Sequence, residues 1–332
     1  RILPAQEMIH TGDWLTPVLG GIKYYNKPPL IYWCVGGLFT IIGVQTELVA
    51  RLPSVLFILA FVSVLLLTRA RWLTLAERLG AAVLFLTVVS FVEKGRQIEI
   101  EAAFVSTTGM ATVLWLNAWY AGLSGWRLWR WPCLLIALGL LLKGPLIVLF
   151  FYAVVLCVLL VERRLRVLRS WAHILAALAM VLPLVAWALV EIAMNPEVPF
   201  ERVWAGEVGS RFVVRAWYVG TWLGGVIKGV IDYLPAALLL PCVWWRPWLA
   251  ALPAATQRRQ RALRLALLAG FVAVSLLPGV KSRYYMPLFP LASIVIATAL
   301  TGCPADNAFL RWWRRLAGMA SGTAVAAAAA AL

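Results

Sequence analysis

Acidic, basic and aromatic side chains crowd into five stretches of this sequence. The first reads Thr11-Gly12-Asp13-Trp14-Leu15-Thr16-Pro17 and continues as Lys23-Tyr24-Tyr25-Asn26-Lys27-Pro28-Pro29-Leu30-Ile31-Tyr32-Trp33. The second is Glu93-Lys94-Gly95-Arg96-Gln97-Ile98-Glu99-Ile100-Glu101, and the third is Lys143-Gly144-Pro145. A long fourth stretch, Glu191 to Val219, carries Glu201, Glu207, Arg211 and Arg215, and Lys281-Ser282-Arg283-Tyr284-Tyr285 is the fifth. Carboxylates offer general bases, and Lys and Arg offer partners for a phosphate. Both together at a membrane surface would suit a substrate with a lipid tail and an anionic head.

The elements that position these stretches are membrane helices. Apolar residues make up 63% of the chain and charged residues 13%, with a mean hydropathy of +0.87. A soluble domain holds nearer ~25% charged residues. The 18 Trp fit the same reading, since indole favours the water–lipid boundary. The net charge of +16 suggests nucleic acid at first sight, but membrane proteins gather Lys and Arg for orientation, so no nucleic-acid partner is expected. The five cysteines are scattered, no CxxC occurs, and His10 and His173 are the only histidines. A divalent metal is left open, with no ligand set visible in the sequence. Arg1 is not a natural start, and the chain stops inside an alanine-rich run, so a fragment of a longer protein is expected.

Candidate spans are Val49–Leu67, Leu79–Val92, Ala102–Tyr120, Trp131–Leu142, Pro145–Val161, Trp171–Val190, Val219–Trp245, Leu265–Leu277, Tyr284–Leu300 and Leu316 onward. If Arg69, Arg71 and Arg78 face the cytoplasm, alternation puts 17 cations and three acids on that side, a net of +14. The other side keeps 11 of the 14 acids and a net of +2, as the positive-inside rule requires. Leu30–Val44 then reads as a helix lying along the interface, carrying Tyr32 and Trp33; a full span is the alternative. The expectation is an all-α, polytopic transmembrane bundle. Residues 1–48 would form a first extracytoplasmic loop with juxtamembrane helices, and residues 49–332 the bundle. The cytoplasmic arginines read as a solvated, orienting face.

The order GDWLTP, a short turn, KPPLIYW and ELVARLPS resembles the bacterial lipid-linked-sugar glycosyltransferases of the GT-C fold, in the ArnT-like and protein-mannosyltransferase-like branch. GRQIEIEA, LLKGP, EVGSRF and KSRYYMPLFPLA follow in the same order. The resemblance implies transfer of a sugar from a polyprenyl-phosphate carrier to a glycan, lipid or protein acceptor. It further implies a multi-pass protein of the bacterial inner membrane with its site facing the periplasm. The family's first catalytic acid would lie upstream of Arg1; neither Glu7 nor Asp13 is put in its place. A second acid would be Glu101, with Glu99 as its rival and helix capping as the bland alternative. Together with the upstream carboxylate it would deprotonate or orient the acceptor hydroxyl. Lys27, Lys143, Arg211, Lys281 and Arg283 would surround the carrier phosphate, each with a plainer reading as a headgroup-contacting side chain. Tyr24, Tyr25, Trp33, Tyr284 and Tyr285 read as interfacial anchors before sugar platforms. In the branch that modifies lipid A with aminoarabinose, an acid and a histidine stand where this chain has Asn26 and Val208, which leaves that substrate and its metal in doubt. The rival class is a transporter or lipid-carrier flippase, for which the charges inside a span, Lys228 and Asp232, would matter.

Overall fold

A computed structural model of the chain describes residues 2–25, 27–68, 72–196, 219–277 and 280–303, with residues 311 and 315. The bundle begins with a compact amino-terminal cap. Helix α1 (Ile2–Thr11) leads to a two-residue hairpin, Val18–Leu19 against Ile22–Lys23, whose turn residues Gly20 and Gly21 both take positive φ. Two adjacent positive φ angles are what a tight hairpin of this hand demands. Pro28 and Pro29 lead into α2 (Leu30–Ile42), which packs on α1 and on α3 (Glu47–Leu67). At 13 residues α2 is ~20 Å long, short of the ~30 Å hydrocarbon layer.

The central helices form antiparallel neighbours. These are α4 (Leu75–Leu86), α5 (Val89–Arg96), α6 (Ile100–Tyr120), α7 (Trp126–Lys143), α8 (Leu146–Val161) and α9 (Trp171–Met194). Helix α6 packs along both α3 and α7, and its buried side chains face neighbours all round the helix. Gly144, at φ 85, ends α7 and separates it from α8, so Lys143-Gly144-Pro145 is a turn between two helices. Helices α10 (Val219–Ile231), α11 (Arg246–Ala251), α12 (Ala254–Ser275) and α13 (Phe289–Leu300) complete the described bundle.

Among the described residues three helices are long and apolar enough to cross a membrane: Glu47–Leu67, Trp171–Met194 and Ser282–Leu300. Two bent pairs raise the number to as many as five. Both pairs correct the sequence reading. The stretch expected to span as Leu79–Val92 is broken between α4 and α5 by a 67° bend, where Val89 N–H bonds to the Leu234 carbonyl. The stretch expected to span as Val219–Trp245 turns by 95° between α10 and a 3₁₀ segment, Ala236–Trp244. Pro235 cannot donate a helical hydrogen bond at that break. Helices α7 and α12 also start earlier than their apolar stretches, taking in Arg127 and Arg130, and Arg258 to Arg264, respectively. The span expected from Leu316 onward lies outside the described residues.

The bundle has two chemically distinct ends. At one, Trp72 donates to Asn117 (2.6 Å), Arg259 lies over the Tyr120 ring, and Glu162 is close enough to act electrostatically on Tyr120. The acids and lysines of the sequence motifs meet at the other. Tyr25 and Tyr285 are buried, so the expectation that they anchor the chain at the lipid boundary fails. Lys228 and Asp232 make no ion pair with each other; α10 places Lys228 at the surface.

Glycine lets the helices around α6 approach closely. A Cβ on Gly109 would meet the Phe61 ring at 2.6 Å and Pro290 at 3.0 Å, whereas one on Gly37 meets nothing within 4 Å. Gly109→Ala should therefore destabilise the protein by ~1–3 kcal/mol, the usual range for overpacking. Gly37→Ala should be neutral or slightly stabilising, and thermal unfolding in detergent compares the two.

Candidate functional site

Three motifs converge because two antiparallel helices, α6 and α7, bring the first turn of one beside the last turn of the other. Glu101 stands on the first turn of α6 and Lys143 is the last residue of α7. Lys143 Nζ donates to Glu101 Oε1 at 3.2 Å, and Arg283 Nη1 lies 3.7 Å from the same oxygen. The side chains of Glu101 and Lys143 are 5% and 9% exposed, while that of Arg283 is 46% exposed. The carboxylate is thus sealed beneath two cations, and one of these reaches the surface.

Aromatic walls enclose the pair. Lys143 Nζ lies 5.3 Å from the centre of the Phe104 ring and 5.9 Å from that of Tyr284. Lys27 is near enough for its charge to act on Lys143. Its position follows from the proline pair, since the Pro29 carbonyl accepts the first bonds of α2, from Tyr32 (2.9 Å) and Trp33 (3.1 Å). Two cations, Lys143 and Arg283, therefore lie on one carboxylate, an excess of positive charge that an anion would neutralise.

The two rival acids separate cleanly. Glu99 precedes α6 without capping it through its side chain, and its carboxylate pairs with Lys94 at 3.2 Å. Lys281 is exposed and its side chain makes no ion pair among the described residues. Arg211 and Val208 lie outside the described residues, as does Asn26. Glu7 accepts from Gly20 N–H (2.7 Å), and Asp13 accepts from Leu15 N–H (2.9 Å) and Thr16 N–H (3.1 Å). Both acids are spent on shaping the amino-terminal cap. Among the described residues no group of three or more His, Cys, Asp and Glu gathers as a metal-ligand set.

Sequence reasoning placed Glu191 in a loop, whereas it lies on α9 and is 1% exposed. Glu191 Oε2 accepts from Asn195 Nδ2 at 2.9 Å and from Thr16 Oγ1 at 3.2 Å. Lys23 in turn donates to Asn195 Oδ1, and Trp187 Nε1 donates to the Leu15 carbonyl at 3.1 Å. This polar knot ties the cap to the end of α9, and Tyr25, Leu141 and Trp187 pack together beside it. An acid four residues before Asn195 at the end of an apolar run was the available signal.

Comparison with known proteins bears directly on this arrangement. The family model for dolichyl-phosphate-mannose-protein mannosyltransferase matches residues 26–187, which include Lys27, Glu101 and Lys143. The crystal structure of ArnT from Cupriavidus metallidurans bound to undecaprenyl phosphate superimposes with a TM-score of 0.74 at 20% identity, covering 98% of this chain and 58% of that one. The apo structure of the same protein gives 0.76 at 21%, covering 98% and 57%. This chain has the fold of ArnT. The undecaprenyl phosphate-alpha-4-amino-4-deoxy-L-arabinose arabinosyl transferase of Pseudomonas aeruginosa is 28% identical over 309 residues, covering 88% of this chain and 53% of that relative. The protein of the same description from Pectobacterium atrosepticum is 26% identical over 318 residues, covering 90% and 53%. The chain spans about half the length of the curated relatives it matches.

Burial separates the two acids energetically. Glu101→Ala would leave Lys143 buried without its counter-charge and should lower stability by ~3–5 kcal/mol. Glu99→Ala removes a half-exposed pair and should change it by less than ~1 kcal/mol. Detergent thermal unfolding of the two variants checks the ordering.

Proposed function

We propose that this chain carries the transferase core of a membrane glycosyltransferase that moves a sugar from a polyprenyl-phosphate carrier to a glycan, lipid or protein acceptor. The observation that carries the reading is the sealed Glu101–Lys143 pair with Arg283 at its mouth and Lys27 nearby. The relatives are described as transferases acting with undecaprenyl phosphate-linked aminoarabinose, and the solved neighbour holds undecaprenyl phosphate. A transporter reading gains nothing from Lys228 and Asp232, which form no buried pair.

In this reading the acceptor oxygen attacks the anomeric carbon, and the bond from that carbon to the phosphate oxygen breaks. The electron pair leaves with the phosphate, whose growing negative charge falls on Lys143, Arg283 and Lys27. The acceptor proton passes to a base. Glu101 is poorly suited to be that base, because two cations stabilise its ionised form. Its part is to hold Lys143 and Arg283 in position before the carrier arrives. Preorganisation of this kind spares the site any rearrangement as charge develops.

The orientation follows from the charge asymmetry. The arginine-rich end faces the cytoplasm of a bacterial inner membrane, and the Glu101 end faces the periplasm. The bilayer is the medium from which the carrier enters. Asn26 and Val208 differ from the pattern of the aminoarabinose branch, so the sugar is left as a class, a pentose or hexose on a polyprenyl phosphate.

Release of free polyprenyl phosphate by the full-length protein tests the proposal. Lys143→Ala should slow release by ~10²–10³-fold, the usual loss for one preorganised charge-stabilising donor. Lys281→Ala, which removes an exposed lysine without an ion pair, should retain most of the rate. Wild-type release that Lys143→Ala leaves intact would refute the assignment of the cation cluster.

A further inference from the structure

The opposite end of the bundle holds a second concentration of cations. Arg163, Arg246, Arg258, Arg261 and Arg264 line one open cavity of about 780 Å³, with Leu249 among its apolar members. Helix α8, 16 residues and ~24 Å long, separates Arg163 from the Lys143 turn, so the cavity is remote from the Glu101 site. Arg258, Arg261 and Arg264 recur every three residues and share a face of α12.

A solvated, orienting surface does not account for three of its features. The first is that five arginines line a single hollow with no ion pair to an acid among the described residues, only Arg264 donating to backbone carbonyls, those of Gln260 and Val243. Like charges held together in this way repel one another and create an unmet demand for an anion. Backbone strain is the second. Arg163 has φ 57, at the position where α8 ends in paired bonds from Arg163 N–H to Leu160 and from Arg164 N–H to Leu159. Glycine takes this position freely, whereas a residue with a side chain is strained there. The strain places a fifth guanidinium on the cavity wall.

The third feature is an apolar groove borne by the same elements. One turn beyond Arg264, Leu267 and Leu268 of α12 line a groove of about 260 Å³, and Trp244, two residues before Arg246, lines it as well. Trp244 is 48% exposed, as suits an indole at the lipid boundary. A basic hollow joined by two elements to an apolar groove fits an amphiphile with a phosphate head. Basic pockets between helices at a membrane surface recognise anionic lipid heads in the same way.

We propose that this arginine-lined cavity binds the headgroup of an anionic phospholipid of the surrounding bilayer. The head enters the arginine hollow, and an acyl chain follows the groove along α12. Such a lipid would brace α8, α11 and α12 against one another at the end away from the transfer site.

Thermal unfolding of the full-length protein in neutral detergent tests this, with diphosphatidylglycerol as the probe. The lipid should raise the wild-type Tm by ~2–4 °C or more, and phosphatidylethanolamine should not. Arg258→Gln with Arg261→Gln should abolish the rise. Arg127→Gln with Arg130→Gln, at the same end but outside the cavity, should keep it. Native mass spectrometry should find diphosphatidylglycerol retained by the wild type and lost from the first double variant alone. Equal rises in both double variants would overturn the proposal, as would an equal rise with inorganic phosphate. A larger rise with polyprenyl phosphate that survives Lys143→Ala but not Arg258→Gln with Arg261→Gln would assign the cavity to the carrier and contradict it too.

Discussion

Everything at the candidate site depends on keeping one buried carboxylate charged beneath two cations. Moving an isolated carboxylate or ammonium out of water is prohibitive, so Glu101 and Lys143 can be buried only as a pair. At 3.2 Å the pair is a direct, charge-assisted contact, and Arg283 extends it toward the surface. Such an arrangement is weak evidence for stability, because an apolar pair could fill the same space. Its value is geometric. It fixes two cations at the point where three sequence-distant motifs meet, and leaves them with positive charge to spare.

The surrounding fold is the machinery that delivers that geometry. Antiparallel α6 and α7 set Glu101 against Lys143, and Gly109 lets α6 approach Phe61 of α3 and Pro290 of α13. The cap brings Lys27 in through the proline pair that opens α2. The Glu191 knot pins the preceding segment to α9, so the cap cannot drift from the bundle without exposing a buried carboxylate. Two buried acids thus tie the site together, Glu101 beneath its cations and Glu191 where the cap meets the end of α9.

Much of this was legible from residue order. The apolar runs gave α3, α6, α8 and α9 with boundaries close to those observed, and the KPPLIYW, GRQIEIEA, LLKGP and KSRYY segments held the residues that meet. The resemblance favoured Glu101 over Glu99, but residue order could not show which of two acids two positions apart is buried. That depends on which way the helix turns, and the packed bundle puts Glu101 against Lys143 and Glu99 against Lys94. The bends at Val88 and Pro235 were hidden for a related reason: hydropathy measures apolar length and is blind to direction. Glu191 was misplaced because an acid at the end of an apolar run reads as a loop signal, when here Thr16 of the cap and Asn195 at the end of α9 donate to its buried carboxylate. The basic end showed only its net charge in the sequence; that five arginines share one hollow is a property of the α8, α11 and α12 arrangement.

The most direct test of the central claim is a structure of the full-length protein with a polyprenyl phosphate bound. The account predicts the phosphate within hydrogen-bonding distance of Lys143 and Arg283, with the Glu101–Lys143 contact still intact beneath it. A phosphate bound away from these residues, or one that has displaced Glu101 to reach Lys143, would contradict it.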